Sequence, residues 1–188
     1  MKHVTSRVLF AYWDVLRGER ASPERSAIDP GAIRHILADV FIVELDVLGV
    51  PAFRIAGTRL CALFGRELKG QRFERLLPLH AVEDARRSVE IVLDEAAGLV
   101  SGHRGVTLDG AAVDLEMLLL PLRDRGRTHK AVLGALSPAV NPLWLGLSPI
   151  ALSAAVSQRV IRTGWRANRP GPAVEPTRRF VVHRGGRA

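Results

Sequence analysis

Six histidines (His3, His35, His80, His103, His129, His183) are the residues best suited to acid–base work or metal binding, and they stand on separate predicted elements. No His-x-x-x-His or His-Glu-x-x-His pair and no nucleophile-elbow serine occurs. His80, at a predicted helix start, and His103, in a predicted strand, are the two that folding could bring together. Asp114 and Glu116 share one face of a strand by alternation, which reads as a solvated face rather than a catalytic carboxylate pair. Gly57, Gly65 and Gly70 are spaced too irregularly for a P-loop or a dinucleotide fingerprint and read as turn and cap glycines. Cys61, the single cysteine, lies beside Leu60 and Leu63 and reads as a packed core residue. These residue types in these positions exclude the common catalytic constellations, so the expectation is a protein without enzymatic activity and without a metal site.

The elements that would position these residues follow from apolar spacing. Val8, Leu9, Tyr12, Trp13 and Leu16 recur at helical intervals and predict a helix over Thr5–Leu16. Asp29-Pro30 offers a cap and a first-turn proline to a short helix with Ile33, Ile36 and Leu37. Val40–Asp46 and Ala52–Ala56 predict a hairpin. Short helical segments follow at Arg59–Phe64 and around Phe73, Leu76 and Leu77, then a long helix from about His80 to Ala97 with outer pairs Glu83–Arg87 and Arg86–Glu90. Beyond Gly98 the period becomes two. Val100–Leu108 and Ala111–Leu120 flank Asp109-Gly110, a two-residue hairpin signal, and Lys130–Ser137 supplies a last strand. The order predicts an α+β domain: a five-stranded antiparallel sheet with helices on one face, preceded by an N-terminal flanking helix.

The 188 residues divide by composition. The net charge is +8, and residues 162–188 contribute +6 of it from seven arginines and Glu175, which leaves the first 161 residues near neutral at +2. The tail is also rich in proline and glycine and reads as basic and disordered, so nucleic-acid binding by the folded part is not expected. From Ala131 to Gln158 there is no charge. Pro138, Pro142 and Pro149 argue against a spanning helix, so residues 139–161 read as an apolar extension folded over the sheet or completing a dimer, with peripheral membrane contact as the other reading. The predicted organisation is therefore a flanking helix and loop (1–27), a domain (28–138), the extension (139–161) and the tail (162–188). Asp14 and Arg17 interrupt the apolar N-terminal residues, so no secretory leader is expected, and a lone cysteine fits the cytoplasm.

Several strings, taken in order, carry a family resemblance: Tyr12-Trp13-x-x-Leu16-Arg17-Gly18, Pro23-x-Arg25, Ile28-Asp29-Pro30, Phe53-Arg54-Ile55-Ala56-Gly57-Thr58 and Gly65-Arg66-Glu67-Leu68-x-Gly70. Leu120-Pro121-Leu122, Leu133-Gly134-Ala135 and Trp144-Leu145-Gly146 continue it. From Phe10 to Arg162 the chain resembles the alphaproteobacterial stand-alone PAS-domain family, formerly a domain of unknown function. The resemblance implies a PAS fold and a sensory or interaction role, with a ligand held between sheet and helices and dimerisation through the N-terminal helix. The dimer candidates are then Val8, Leu9, Tyr12, Trp13 and Leu16. The pocket candidates are Phe53, Ile55, Leu60, Phe64, Phe73, Val89, Leu93, Leu115 and Met117.

Departures from relatives matter too. Around Cys61 the chain reads Arg-Leu-Cys-Ala-Leu-Phe, unlike the Asn-Cys-Arg-Phe-Leu-Gln string of flavin-binding light sensors, so a flavin adduct is not implied. Haem has only His80 at the helix start in its favour. The cofactor is left open. No kinase, cyclase or other output domain accompanies these residues, so a signal is expected to leave by contact with a regulatory protein. The alternative is a peripheral scaffold held on anionic membrane or an acidic partner by the apolar extension and the arginine tail.

Overall fold

The computed structural model describes residues 1–124 and 127–162, and side chains outside 125–130. The arginine-rich tail, with the disorder and docking roles read from its composition, lies outside the described residues except for Arg162.

Helix α1 (Val4–Arg17) ends at Gly18, whose φ of +57° turns the chain away while its N–H donates to the Asp14 carbonyl. Single turns at Arg25–Ala27, Pro30–Ile33 and Leu37–Asp39 lead into strands β1 (Val40–Leu45) and β2 (Pro51–Ala56). Helix α2 (Thr58–Leu63) and a turn at Phe73–Leu76 precede α3 (Val82–Asp94). Strands β3 (Gly98–Thr107), β4 (Ala112–Asp124) and β5 (Arg127–Pro138) follow, then two short strands, β6 (Ile150–Leu152) and β7 (Ser157–Ile161). The described strands form one antiparallel sheet in the order β2-β1-β5-β4-β3, and β6 and β7 both pair with the outer edge of β3.

This is the expected α+β arrangement with the expected five strands, to which the extension adds two. Ile150–Leu152 and Ser157–Ile161 extend the same sheet at its edge, so this part of the extension pairs alongside β3 rather than folding over a face. They cover the unpaired amides that β3 would otherwise expose.

The sheet is buried on both faces, which explains why β4 reads Leu118-Leu119-Leu120 without polar alternation. Its inner face packs under α2 and α3 with Phe41, Val43, Phe53, Leu115, Met117 and Leu119. Its outer face, with Val40, Ile42, Leu118, Leu120 and Leu133, is covered by α1 and the Pro30–Ile33 turn. Leu9 and Trp13 are fully buried there, and the Trp13 indole N–H donates to the Pro121 carbonyl at 2.8 Å. These two dimer candidates are thus spent on their own sheet, because two apolar faces need two covers. Val8, Tyr12 and Leu16 are half-buried, and the Tyr12 hydroxyl donates to the Asp29 carbonyl while accepting from the Asp29 N–H.

Glu116, expected to face solvent, is buried on the outer face, where it accepts the N–H groups of Lys2 and His3 at 2.8 and 3.2 Å. Burial pushes its pKa up, but hydrogen bonds, led by that from Lys2, outweigh this and hold it below the usual carboxylate value. The carboxylate thereby seats the start of α1 on β4, where its charge also suits the helix dipole. On the inner side, Arg86 pairs with the buried Glu74 through two bonds of 2.6 and 3.0 Å and fastens α3 to the Phe73–Leu76 turn. Arg86 therefore serves Glu74 rather than the expected Glu90.

Candidate functional site

Strand alternation sets the floor of the site. Leu99, Ser101, His103, Gly105 and Thr107 of β3 face inward, and Ser101 lies directly opposite Met117 of β4. The roof is one stripe of α3 and the turn before it: Ala81, Asp84, Ala85 and Ser88, at spacings of three and four residues. Phe73 and Leu77 close one end. Residues 155–158, between and within the two added strands, close the other. Together they line a half-open cavity of about 220 Å³.

Two buried polar side chains project from the floor. The His103 Nδ1 lies 3.2 Å from the Ser153 carbonyl, which only accepts, so Nδ1 carries the proton. Nε2 is then a bare lone pair and receives the Ser101 hydroxyl at 2.8 Å. Burial pushes the His103 pKa below the usual histidine value, only partly offset by the bond to Ser153, so the imidazole is neutral at pH 7. Ser153 also donates its N–H to the Arg104 carbonyl, which locks the added strands to β3 beside the histidine. On the roof, the Ser88 hydroxyl donates to the Asp84 main-chain carbonyl at 2.7 Å and accepts from Gln158 Nε2 at 3.0 Å.

A buried histidine with a depressed pKa leaves a pH signature. The unfolded chain takes up the proton first as pH falls, so the stability contributed by neutral His103 is complete above the unfolded histidine value, near pH ~6.5, and is lost as pH drops through the lower folded value. Melting temperature is expected to decline from pH 7.5 to 5.5, and His103→Asn, which keeps a donor for the Ser153 carbonyl, should flatten that decline. A slope unchanged in the variant contradicts the assignment.

The sequence-derived pocket residues divide clearly. Phe73 and Met117 line the cavity. Phe53, Leu60, Phe64, Val89, Leu93 and Leu115 are buried in the inner core around it and pack on one another. Ile55 lies on the other side of the sheet and is 51% exposed. The cause is a bulge: Ile42 pairs with Ile55 but Val43 pairs with Phe53, so Arg54 is an extra residue and Ile55 changes face.

Ser101, Ser88, Asp84 and Gln158 are not among the sequence-derived candidates, and His103 is there only as a possible neighbour of His80. The signal lay in the register of the β3–β4 hairpin. Asp109-Gly110 is not a two-residue turn: the Thr107 N–H donates to the Ala111 carbonyl around a three-residue loop, 108–110, with Gly110 at φ +86°. That single residue decides which side of β3 faces the helices.

The fold family raises the matter of flavin and haem, and the cavity fits neither. At about 220 Å³ it is below the ~300–1,000 Å³ of pockets that take drug-sized ligands, and both cofactors are larger still. Cys61 is half-buried on α2 with its thiol toward Glu67, and is not among the lining residues. His80 is exposed on the turn before α3, whereas His103 is buried. No group of three or more His, Cys, Asp or Glu side chains suited to a metal is found among the described residues. No described helix is long and apolar enough to cross a membrane.

A curled antiparallel sheet with short helices and one long helix over its inner face is the α+β arrangement of a sensory-type domain. The PAS domain family model matches residues 1–137, and the chain belongs to that family. The match ends before the added strands, so part of the cavity wall is built from residues outside it. No curated protein matches the chain. Among solved structures, the PAS domain of a protein from Colwellia psychrerythraea is similar at 18% identity, covering 58% of this chain and 97% of that one, with a TM-score of 0.43. A light-oxygen-voltage domain studied with a flavin analogue is 19% identical over 59% of this chain and 84% of that one, TM-score 0.45. The Rhodobacter sphaeroides light-oxygen-voltage protein is 14% identical over 62% and 71%, TM-score 0.45.

Proposed function

We propose that this PAS domain is a non-catalytic sensory module that binds a small molecule in the cavity between α3 and β3–β4 and passes the bound state to a protein partner. The observation that carries the reading is the placement of Ser101 and His103, both nearly fully buried, on the floor of a half-open cavity whose apolar lining includes Phe73, Leu77, Met117 and Leu119. A core that only had to pack would place hydrocarbon at these two positions, since buried polar groups cost stability unless hydrogen-bonded. Polar anchors in an apolar cavity are instead the composition of a ligand site. The Ser153–His103 bond gives occupancy a route outward, because any ligand that moves the imidazole also moves the strands held to β3.

Met117→Trp tests this. The indole would occupy space opposite Ser101, at an overpacking cost of about 1–3 kcal/mol. In a thermal-shift screen of molecules of up to about ten non-hydrogen atoms, a size set by small cavities of this kind, the wild-type chain is expected to give stabilising hits that Met117→Trp loses while remaining folded. Hits of equal size in both proteins would place binding elsewhere and refute the reading.

A further inference from the structure

Resting on that reading of the cavity, we propose that its ligand is a small protonated amine with an apolar body. The argument is an account of donors and acceptors. Ser101 has one proton, committed to His103 Nε2, which leaves its oxygen to the cavity as an acceptor. Ser88 has one proton, committed to the Asp84 main-chain carbonyl, so its oxygen must accept from Gln158. That bond fixes the orientation of the Gln158 amide and leaves its carbonyl, Oε1, and its second amide proton free. The Asp84 carboxylate is the only charged group in the lining, and it makes no ion pair among the described residues. Three acceptors, one of them anionic, thus border the same cavity, against two uncharged donors, the Ser157 hydroxyl and the second Gln158 amide proton, and His103 itself is neutral and fully engaged.

An ammonium group offers three donors and a positive charge, which answers this arrangement. A carboxylate would be repelled by the Asp84 charge, and an alcohol would bring one donor and no charge. Phe73, Leu77, Met117 and Leu119 supply the apolar part. An apolar cavity of ~150 Å³ holds a benzene, so about 220 Å³ takes an aromatic ring with a short arm.

The full chain is titrated at pH 7.5 by calorimetry with three probes of matched shape: 2-phenylethylamine, 2-phenylethanol and 3-phenylpropanoate. The amine is expected to bind at least about fivefold more tightly than the alcohol, the scale of a partly exposed charge-assisted hydrogen bond, with the acid weakest. Asp84→Asn should remove the amine's advantage and leave the alcohol's affinity unchanged. If the alcohol or the acid binds as tightly as the amine, or if Asp84→Asn retains the preference, the amine class is wrong and the cavity reading survives. Failure of all three probes to bind, or undiminished binding to Met117→Trp, overturns the cavity reading and the amine class with it.

Discussion

Trp13→Ala is expected to lower the unfolding free energy by about 3–5 kcal/mol, the range for removing a large buried aromatic. Trp13 is fully buried between α1 and the outer face of the sheet, with Phe10 at 6.0 Å between ring centroids and the Arg17 guanidinium 5.5 Å above the indole. Truncation leaves a cavity against Leu118, Leu120 and Leu133 and removes the donor to the Pro121 carbonyl. Urea denaturation followed by circular dichroism, at several protein concentrations, measures the loss. A helix whose apolar stripe served mainly a second chain would behave differently: the variant would shift the monomer–dimer balance and make the midpoint concentration-dependent. A concentration-independent loss of this size is the expected result, and a loss below about 1 kcal/mol, typical of surface changes, contradicts the docking described here.

The same helix shows what a sequence conveys and what it withholds. The 3.6 periodicity of Leu9, Trp13 and Leu16 marks an apolar stripe, but a stripe does not say what it covers. That depends on the outer face of β4, where Leu118 and Leu120 demand a cover that the alternation of Val113, Leu115 and Met117 alone does not reveal. Element order was legible because each segment's period and punctuation are local. Face assignment is not local: one extra residue at Arg54 reverses Ile55, and one extra residue in the 108–110 loop sets the face of Ser101 and His103. The pocket candidates were drawn from apolar spacing, which finds the core around a cavity more readily than the polar groups inside it. Phe73 and Met117 border both. The added strands carry only three and five residues, too few for their pairing with β3 to show in a pattern.

Gly134→Ala brings fold and site together, and its expected effect runs against simple propensity. Alanine in place of a strand-interior glycine ordinarily gains roughly 0.5–1 kcal/mol. Here Gly134 of β5 pairs with Phe41 of β1, and the tip of the phenyl ring lies over the glycine, so that a Cβ would sit 2.2 Å from the nearest ring carbon. The ring has little room to yield, since it is held edge-on by Phe53 at 5.4 Å between centroids and lies 6.0 Å from Phe73. A displacement toward Phe73 would press on the wall of the candidate cavity. The variant is expected to lose about 1–3 kcal/mol by overpacking and to weaken binding in the fragment screen. Phe41→Leu introduced with it should restore part of the loss, because a smaller side chain leaves space for the methyl group. A double-mutant cycle in chemical denaturation should then return a coupling of at least about 1 kcal/mol, as residues in direct contact do. Additive effects would mean that Phe41 relaxes into space the packing does not contain, and with it that the aromatic trio does not set the size of the cavity.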